Sequence, residues 1–213
     1  MTREGTGSST LAIDWREISR LVLTSRAIDH LEETELYPQK RIAYQFSAAG
    51  HELAQVILGR LLTHPKDAAS AYYRSRPLLL SLGLTIEEAF AGPLGKQGGY
   101  SDGRDIGVVC NLPSRGGATV LPMAGDVGSQ YTPAAGWAEA IRYHFEVLGL
   151  NEYDRAVAVV LGGEGSTATN GFWAALGAAT TVGLPLIFFV EDNGYAISVP
   201  AEKQTPGGNI ADN

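Results

Sequence analysis

Two polar turns, each closing an apolar run, hold the residues best suited to chemistry. Glu164 lies three residues past the run Ala156–Leu161, and Asn193 lies three past the run Leu186–Val190. Continuous apolar runs of that length mark strands covered on both faces. Between them, Phe172–Val182 is small, apolar and long enough for a crossover helix. A right-handed crossover makes the two strands parallel and brings their carboxyl ends to one edge of the sheet. One carboxylate and one amide oxygen then meet where open parallel sheets bind ligands. Oxygen donors of this kind suit a hard cation such as Mg²⁺, which also takes water and substrate phosphates. Either turn alone is ordinary punctuation after a strand. The pair at matched positions is what points to a site.

Other segments carry complementary chemistry. Tyr72-Tyr73-Arg74-Ser75-Arg76-Pro77 follows a small apolar stretch. Arginine suits bidentate phosphate contact and tyrosine adds a donor. Gly50-His51-Glu52 opens a helix, where it either caps the helix or faces a channel. Gly95-Lys96-Gln97 lacks the spacing and the following Ser or Thr of a phosphate loop, so an ATP site is discounted. His30, His64 and His144 are isolated, with no spacing for zinc. No Gly-x-Ser-x-Gly elbow is present.

The elements that must position these residues can be read from pattern. Helices are expected at Trp15–Tyr37, with Asp14 as cap, at Gly50–Leu62, Pro77–Leu82 and Pro133–Leu148, and at Ile86–Ala91 behind a Thr85 cap. Ser129 or Thr132 is the expected cap before Pro133. Ala68–Tyr73 reads as a short strand. Gly92–Gly117 reads as one long glycine-rich loop, a length that usually signals function or disorder. Residues 1–14 read as a flexible polar arm and 15–213 as one α/β domain without internal repeats.

Gly163-Glu164-Gly165-Ser166, together with Asp192-Asn193-Gly194-Tyr195-Ala196-Ile197-Ser198, resembles the thiamine diphosphate motif. The closing wording is similar to that of the alpha subunits of the decarboxylating component of 2-oxo acid dehydrogenase complexes. The resemblance runs from the first helix to Asn213 and is strongest between Gly162 and Pro200. It implies a doubly wound, mostly parallel α/β sheet with helices on both faces, incomplete at the C-terminus. It implies Mg²⁺ held by Glu164, the Asn193 side chain and the Tyr195 carbonyl, with Gly163, Gly165 and Ser166 against the diphosphate. Tyr73 and Arg74 match the family's diphosphate clamp, and Arg76 would add a second positive charge. Val127, Gly128 and Ser129 match the stretch that meets the aminopyrimidine ring, where some members bind a monovalent cation. Asp192 departs from the first Asn common in the closing pair.

The implied activity is decarboxylation of a 2-oxo acid with acyl transfer to a lipoyl acyltransferase component. A branched-chain substrate such as 2-oxoisovalerate ranks first and pyruvate next. Acetoin cleavage, a transketolase-like transfer and a non-catalytic cofactor-binding fragment stay open as alternatives. The implied partner is a beta subunit or fused beta part within an oligomer, a heterotetramer in the family. The family's site histidine would lie beyond Asn213. No catalytic residue is therefore assigned, and the chain is expected to be a truncated product or the front of an alpha–beta fusion, inactive by itself.

Composition bounds the rest. The chain has 213 residues, 45% hydrophobic and 18% charged, with net charge −7. That is a globular composition of one-domain size. No basic stripe marks a nucleic-acid partner, and no apolar run approaches membrane-spanning length. The single cysteine, Cys110, precludes an internal disulfide and fits a reducing cytoplasm.

Overall fold

A computed structural model describes residues 13–104 and 112–213. Most of the polar N-terminal arm, and positions 105–111 of the glycine-rich loop with Cys110, lie outside the described residues.

Four parallel strands form the central sheet: β1 (Ala68–Ser70), β2 (Thr119–Val120), β3 (Ala158–Gly163) and β4 (Leu186–Glu191). Their spatial order is β2-β1-β3-β4. Ala158–Gly163 pairs in register with Leu186–Glu191, so the crossover unit is parallel. Helices cover both faces. On one side lie α1 (Trp15–Leu31), α2 (Glu52–Leu61), α3 (Arg76–Ser81) and α4 (Ile86–Ala91); on the other lie α5 (Tyr131–Arg142) and α6 (Asn170–Val182). The pleat distributes β3 between them, because alternate side chains point to opposite faces. Val159 and Leu161 enter the first core, with Val56, Leu78 and Leu112, and Val160 enters the second, with Tyr131 and Phe172.

The local signals at the helix starts act as their chemistry requires. Asp14 Oδ1 accepts from the N–H groups of Arg16 and Glu17 at 3.0 and 3.2 Å. Thr85 and Glu88 form a reciprocal capping box. Gly183 closes α6 in the left-handed conformation, at φ 70°.

Four expectations need correction. α5 starts at Tyr131 behind Gln130, with no side-chain cap from Ser129 or Thr132; the Ser129 hydroxyl instead donates to the Asp126 carbonyl at 2.7 Å. Both α1 and α5 end in a π-helical turn, at Glu32–Leu36 and Tyr143–Val147. β4 is not covered on both faces: Ile187 is 47% exposed, because β4 is the sheet edge among the described residues. Finally, β2 and a small antiparallel hairpin, β5 (Tyr195–Ala196) with β6 (Val199–Pro200), are too short to show a pattern in sequence.

Candidate functional site

The chain leaves β1 toward β2 on one side and returns through β3 on the other, so strand order reverses between β1 and β3. Ligands of open parallel sheets bind beyond the carboxyl ends of the strands at such a reversal. A cleft of about 320 Å³ lies there. All four strands contribute to its lining: Tyr72, Tyr73 and Arg74 after β1, Ala124–Val127 after β2, Gly163–Ser166 at the end of β3, and Glu191, Asn193 and Tyr195–Ile197 after β4.

Glu164 is 2% exposed, and its Oε1 is buried with no hydrogen-bond partner. Buried carboxylate oxygens are normally satisfied, so an orphaned one on a residue that lines a cleft fits a cation. Its Oε2 accepts a long bond, 3.4 Å, from the Asn193 N–H. Asn193 Oδ1 accepts from the Tyr195 N–H at 3.0 Å, which folds the turn back on itself. Gly194 takes φ 80°, the left-handed geometry this reversal needs. Among the described residues no three His, Cys, Asp or Glu side chains converge on a metal position. A cation here would rest on one carboxylate, one amide oxygen and a backbone carbonyl, completed by ligand oxygens.

Glycines make room for this arrangement. A Cβ on Gly165 would stand 2.3 Å from the Ala196 Cβ, so the hairpin after β4 closes onto this turn only because position 165 has no side chain. Ser166 lines the cleft, yet its hydroxyl turns inward. It donates to the Gly163 carbonyl at 2.6 Å and meets the Tyr131 hydroxyl at 2.5 Å. Burial pushes the Tyr131 phenol above its ordinary range.

The basic side is divided. Arg74 donates through Nη1 to the Ser47 carbonyl at 2.6 Å and lies over the rings of Tyr73 and Phe46, at 5.5 and 5.9 Å. Among the described residues no carboxylate pairs with it. Arg76 does not reach the cleft: it is buried in an ion-paired cluster, with Asp29 on Nη1 and Glu32 on Nη2. The second positive charge expected beside the phosphates is therefore consumed in the core. Val127 is 55% exposed in the cleft. Gly128 and Ser129, expected beside it, are not among the residues that line the cleft. Gly128, at φ 88°, packs where a Cβ would come within 2.3 Å of Thr169 Oγ1.

Three residues without a forecast role form the cleft floor and its backing. Glu191, 5% exposed, accepts from the Tyr72 hydroxyl at 2.6 Å and from Gln55 Nε2 at 2.8 and 3.0 Å. Burial, and then the Glu191 charge, push the Tyr72 phenol well above its ordinary range, so it stays a protonated donor. The sequence hint was slight: an acidic residue ending an apolar strand, and a tyrosine beside the expected one. Glu52 looks away from the cleft. Burial would raise its carboxyl, but Arg26 at 2.5 Å and the Gly50 N–H at 2.7 Å outweigh that and hold it below the usual range.

The chain is 28% identical, over 92% of its length, to the pyruvate dehydrogenase E1 component subunit alpha of Bacillus subtilis (strain 168), covering 47% of that protein. It is 29% identical, over 80% of its length, to the 2-oxoisovalerate dehydrogenase subunit alpha 2, mitochondrial, of Arabidopsis thaliana, covering 34% of it. A Caenorhabditis elegans 2-oxoisovalerate dehydrogenase subunit alpha, mitochondrial, is also 29% identical, over 81% of the chain and 38% of that protein. The chain thus spans about half the length, or less, of the curated relatives it matches. Residues 19–213 match the family described as dehydrogenase E1 component, and the chain belongs to that family.

Proposed function

We propose that this chain is the cofactor-binding part of a thiamine diphosphate-dependent 2-oxo acid dehydrogenase, and that the cleft holds the Mg²⁺–diphosphate end of the cofactor. The observation that carries the reading is the buried, unpartnered Oε1 of Glu164, a residue that lines the cleft at the strand-order reversal. Glu164, the Asn193 side chain and the Tyr195 carbonyl would hold the metal. Tyr73 and Arg74 would clamp the diphosphate, with Gly163, Gly165 and Ser166 as its close backbone wall. Val127, with Gly128 and Ser129 next to it in sequence, would support the aminopyrimidine; a monovalent cation there is part of the proposal. When bound, thiamine diphosphate supplies an electron sink for the charge left by decarboxylation.

The electrostatics argue that metal and diphosphate bind together. Asp126, Glu164 and Glu191 line the cleft, and Arg74 is its one fixed positive charge among the described residues. Such a lining repels a bare diphosphate, and a divalent cation reverses the balance.

The relatives' names, alpha subunits of pyruvate and 2-oxoisovalerate dehydrogenases, support a 2-oxo acid substrate; a beta subunit or fused beta part and a lipoyl acyltransferase component, within an oligomer, are the partners this reading proposes. 2-Oxoisovalerate is proposed ahead of pyruvate as the substrate, and turnover of the two by the full-length assembly tests that order. A cytoplasmic site of action fits the single cysteine; no helix among the described residues is long and apolar enough to cross a membrane.

The test is calorimetric titration of thiamine diphosphate into the full-length assembly, with and without Mg²⁺. Binding is expected only with metal. Glu164→Ala is expected to weaken it by roughly 100-fold or more, on the order of 3 kcal/mol. Metal-independent binding, or unchanged affinity in Glu164→Ala, would remove the metal assignment, and absence of any binding would remove the cofactor.

A further inference from the structure

We propose that Gln55 is a positioning residue for the anion-binding segment, holding the Arg74 backbone and Glu191 in one hydrogen-bonded unit from behind the cleft. The inference rests on the metal–diphosphate reading above. Gln55 is fully buried on α2 and does not line the cleft, so it acts on a ligand only through other residues. Its amide is nonetheless fully engaged. Nε2 donates to the Arg74 carbonyl at 3.0 Å and to both oxygens of Glu191 at 2.8 and 3.0 Å. Oε1 accepts from the Leu78 N–H at 3.3 Å, in the first turn of α3. One amide offers two N–H groups and one carbonyl, and here every one has a partner.

Those partners belong to parts of the molecule far apart in sequence. Arg74 follows β1, Leu78 lies in the first turn of α3, and Glu191 ends β4, two residues before Asn193. The Tyr72 hydroxyl reaches the same Glu191 carboxylate, so the residue next to Tyr73 is tied in as well. The segment expected to grip the anion and the turn expected to hold the cation are therefore joined through one side chain. Without that amide the part-buried Arg74 carbonyl loses this donor, and among the described residues Glu191 keeps the Tyr72 hydroxyl and a His51 ring nitrogen at 3.7 Å. An acceptor left short of its donor away from water carries a desolvation cost that backbone movement relieves. The movement would fall on Arg74, whose side chain is aimed by its backbone and by the Phe46 and Tyr73 rings. Glutamate at position 55 would oppose Glu191, and methionine would fill the space while making none of the bonds.

A double-mutant cycle in the full-length assembly tests this. Thiamine diphosphate is titrated at saturating Mg²⁺ into the unmutated protein, Gln55→Met, Arg74→Ala and the double variant, and the melting temperature of each is measured. Gln55→Met is expected to weaken binding about tenfold beside an intact Arg74, and by less than about threefold in the Arg74→Ala background. Equal losses in the two backgrounds, or no loss at all, would overturn the inference, since a general loosening of the fold does not depend on Arg74. Should Gln55→Met fail to fold, Gln55→Asn carries the same cycle with an amide one methylene too short to span its partners. An unmutated assembly that binds no thiamine diphosphate overturns the functional reading as well; binding with additive losses overturns this inference alone.

Discussion

Arg74 and Arg76, two positions apart, meet opposite surroundings, and charge balance explains the difference. Arg76 lies between Asp29 and Glu32, both about 1% exposed, in a buried cluster of two carboxylates and one guanidinium. Burial raises both carboxyls above their ordinary range; Arg76 opposes that shift without cancelling it. The sign of the pH effect follows. A carboxyl with a raised folded-state pKa binds its proton more tightly when folded, so its contribution to stability falls as pH rises from the ordinary carboxylate range through the raised value. Glu32→Gln removes that dependence. The stability of Glu32→Gln relative to the unmutated protein is therefore expected to increase between pH 4 and pH 7. Urea unfolding at the two pH values measures it, and a relative stability that declines with pH would contradict the assignment.

At the scale of elements, the site depends on two connections that approach each other without side chains between them. The turn after β3 and the hairpin after β4 touch at Gly165 and Ala196, where an added Cβ has no room. Gly165→Ala must push the hairpin outward, which moves Asn193 and Tyr195 away from Glu164. Overpacking of this kind typically costs about 1–3 kcal/mol. The expected outcome is a modest fall in melting temperature with a larger loss of Mg²⁺-dependent thiamine diphosphate affinity. Measuring both on one preparation separates local from global damage, and equal, small changes in the two would show that the hairpin tolerates the shift. Gly162 works on the other side of the same turn: a Cβ there would meet the Tyr131 hydroxyl at 2.2 Å and crowd the Ser166 and Gln130 side chains that brace the strand end. Gln130 Nε2 donates to the Leu161 carbonyl at 3.0 Å, so the start of α5 is pinned to the end of β3.

For the whole molecule, the layered arrangement sets where stability is concentrated. β1 and β3 are central, buried strands, and β3 joins the two cores. Among the described residues β4 pairs on one side only, so part of its backbone faces away from that ladder. Amide hydrogen exchange is expected to be slowest at Ala69 and at Val159–Leu161, and to alternate between slow and fast along Leu186–Val190. Uniformly slow exchange along β4 would mean that another strand or chain covers that edge in solution. The reversal of strand order between β1 and β3 also gathers four separate loops into one cleft.

The crossover unit, the caps at Asp14 and Thr85, and the polar turns around Glu164 and Asn193 are legible in the sequence, because each depends on local pattern: buried apolar runs, capping chemistry and glycine turns. It missed β2 and the β5–β6 hairpin, since two-residue strands carry no periodicity. It also misjudged Arg76, because nothing near position 76 reveals that Asp29 and Glu32, more than forty residues earlier, are folded against it. Long-range packing selects which of the two neighbouring arginines is drawn into the buried carboxylate cluster. The same holds for Gln55, Tyr72 and Glu191, whose polar atoms find partners across separations of up to 136 residues. Local sequence fixes backbone preference and capping; the partner of a buried polar atom is chosen when the layers close.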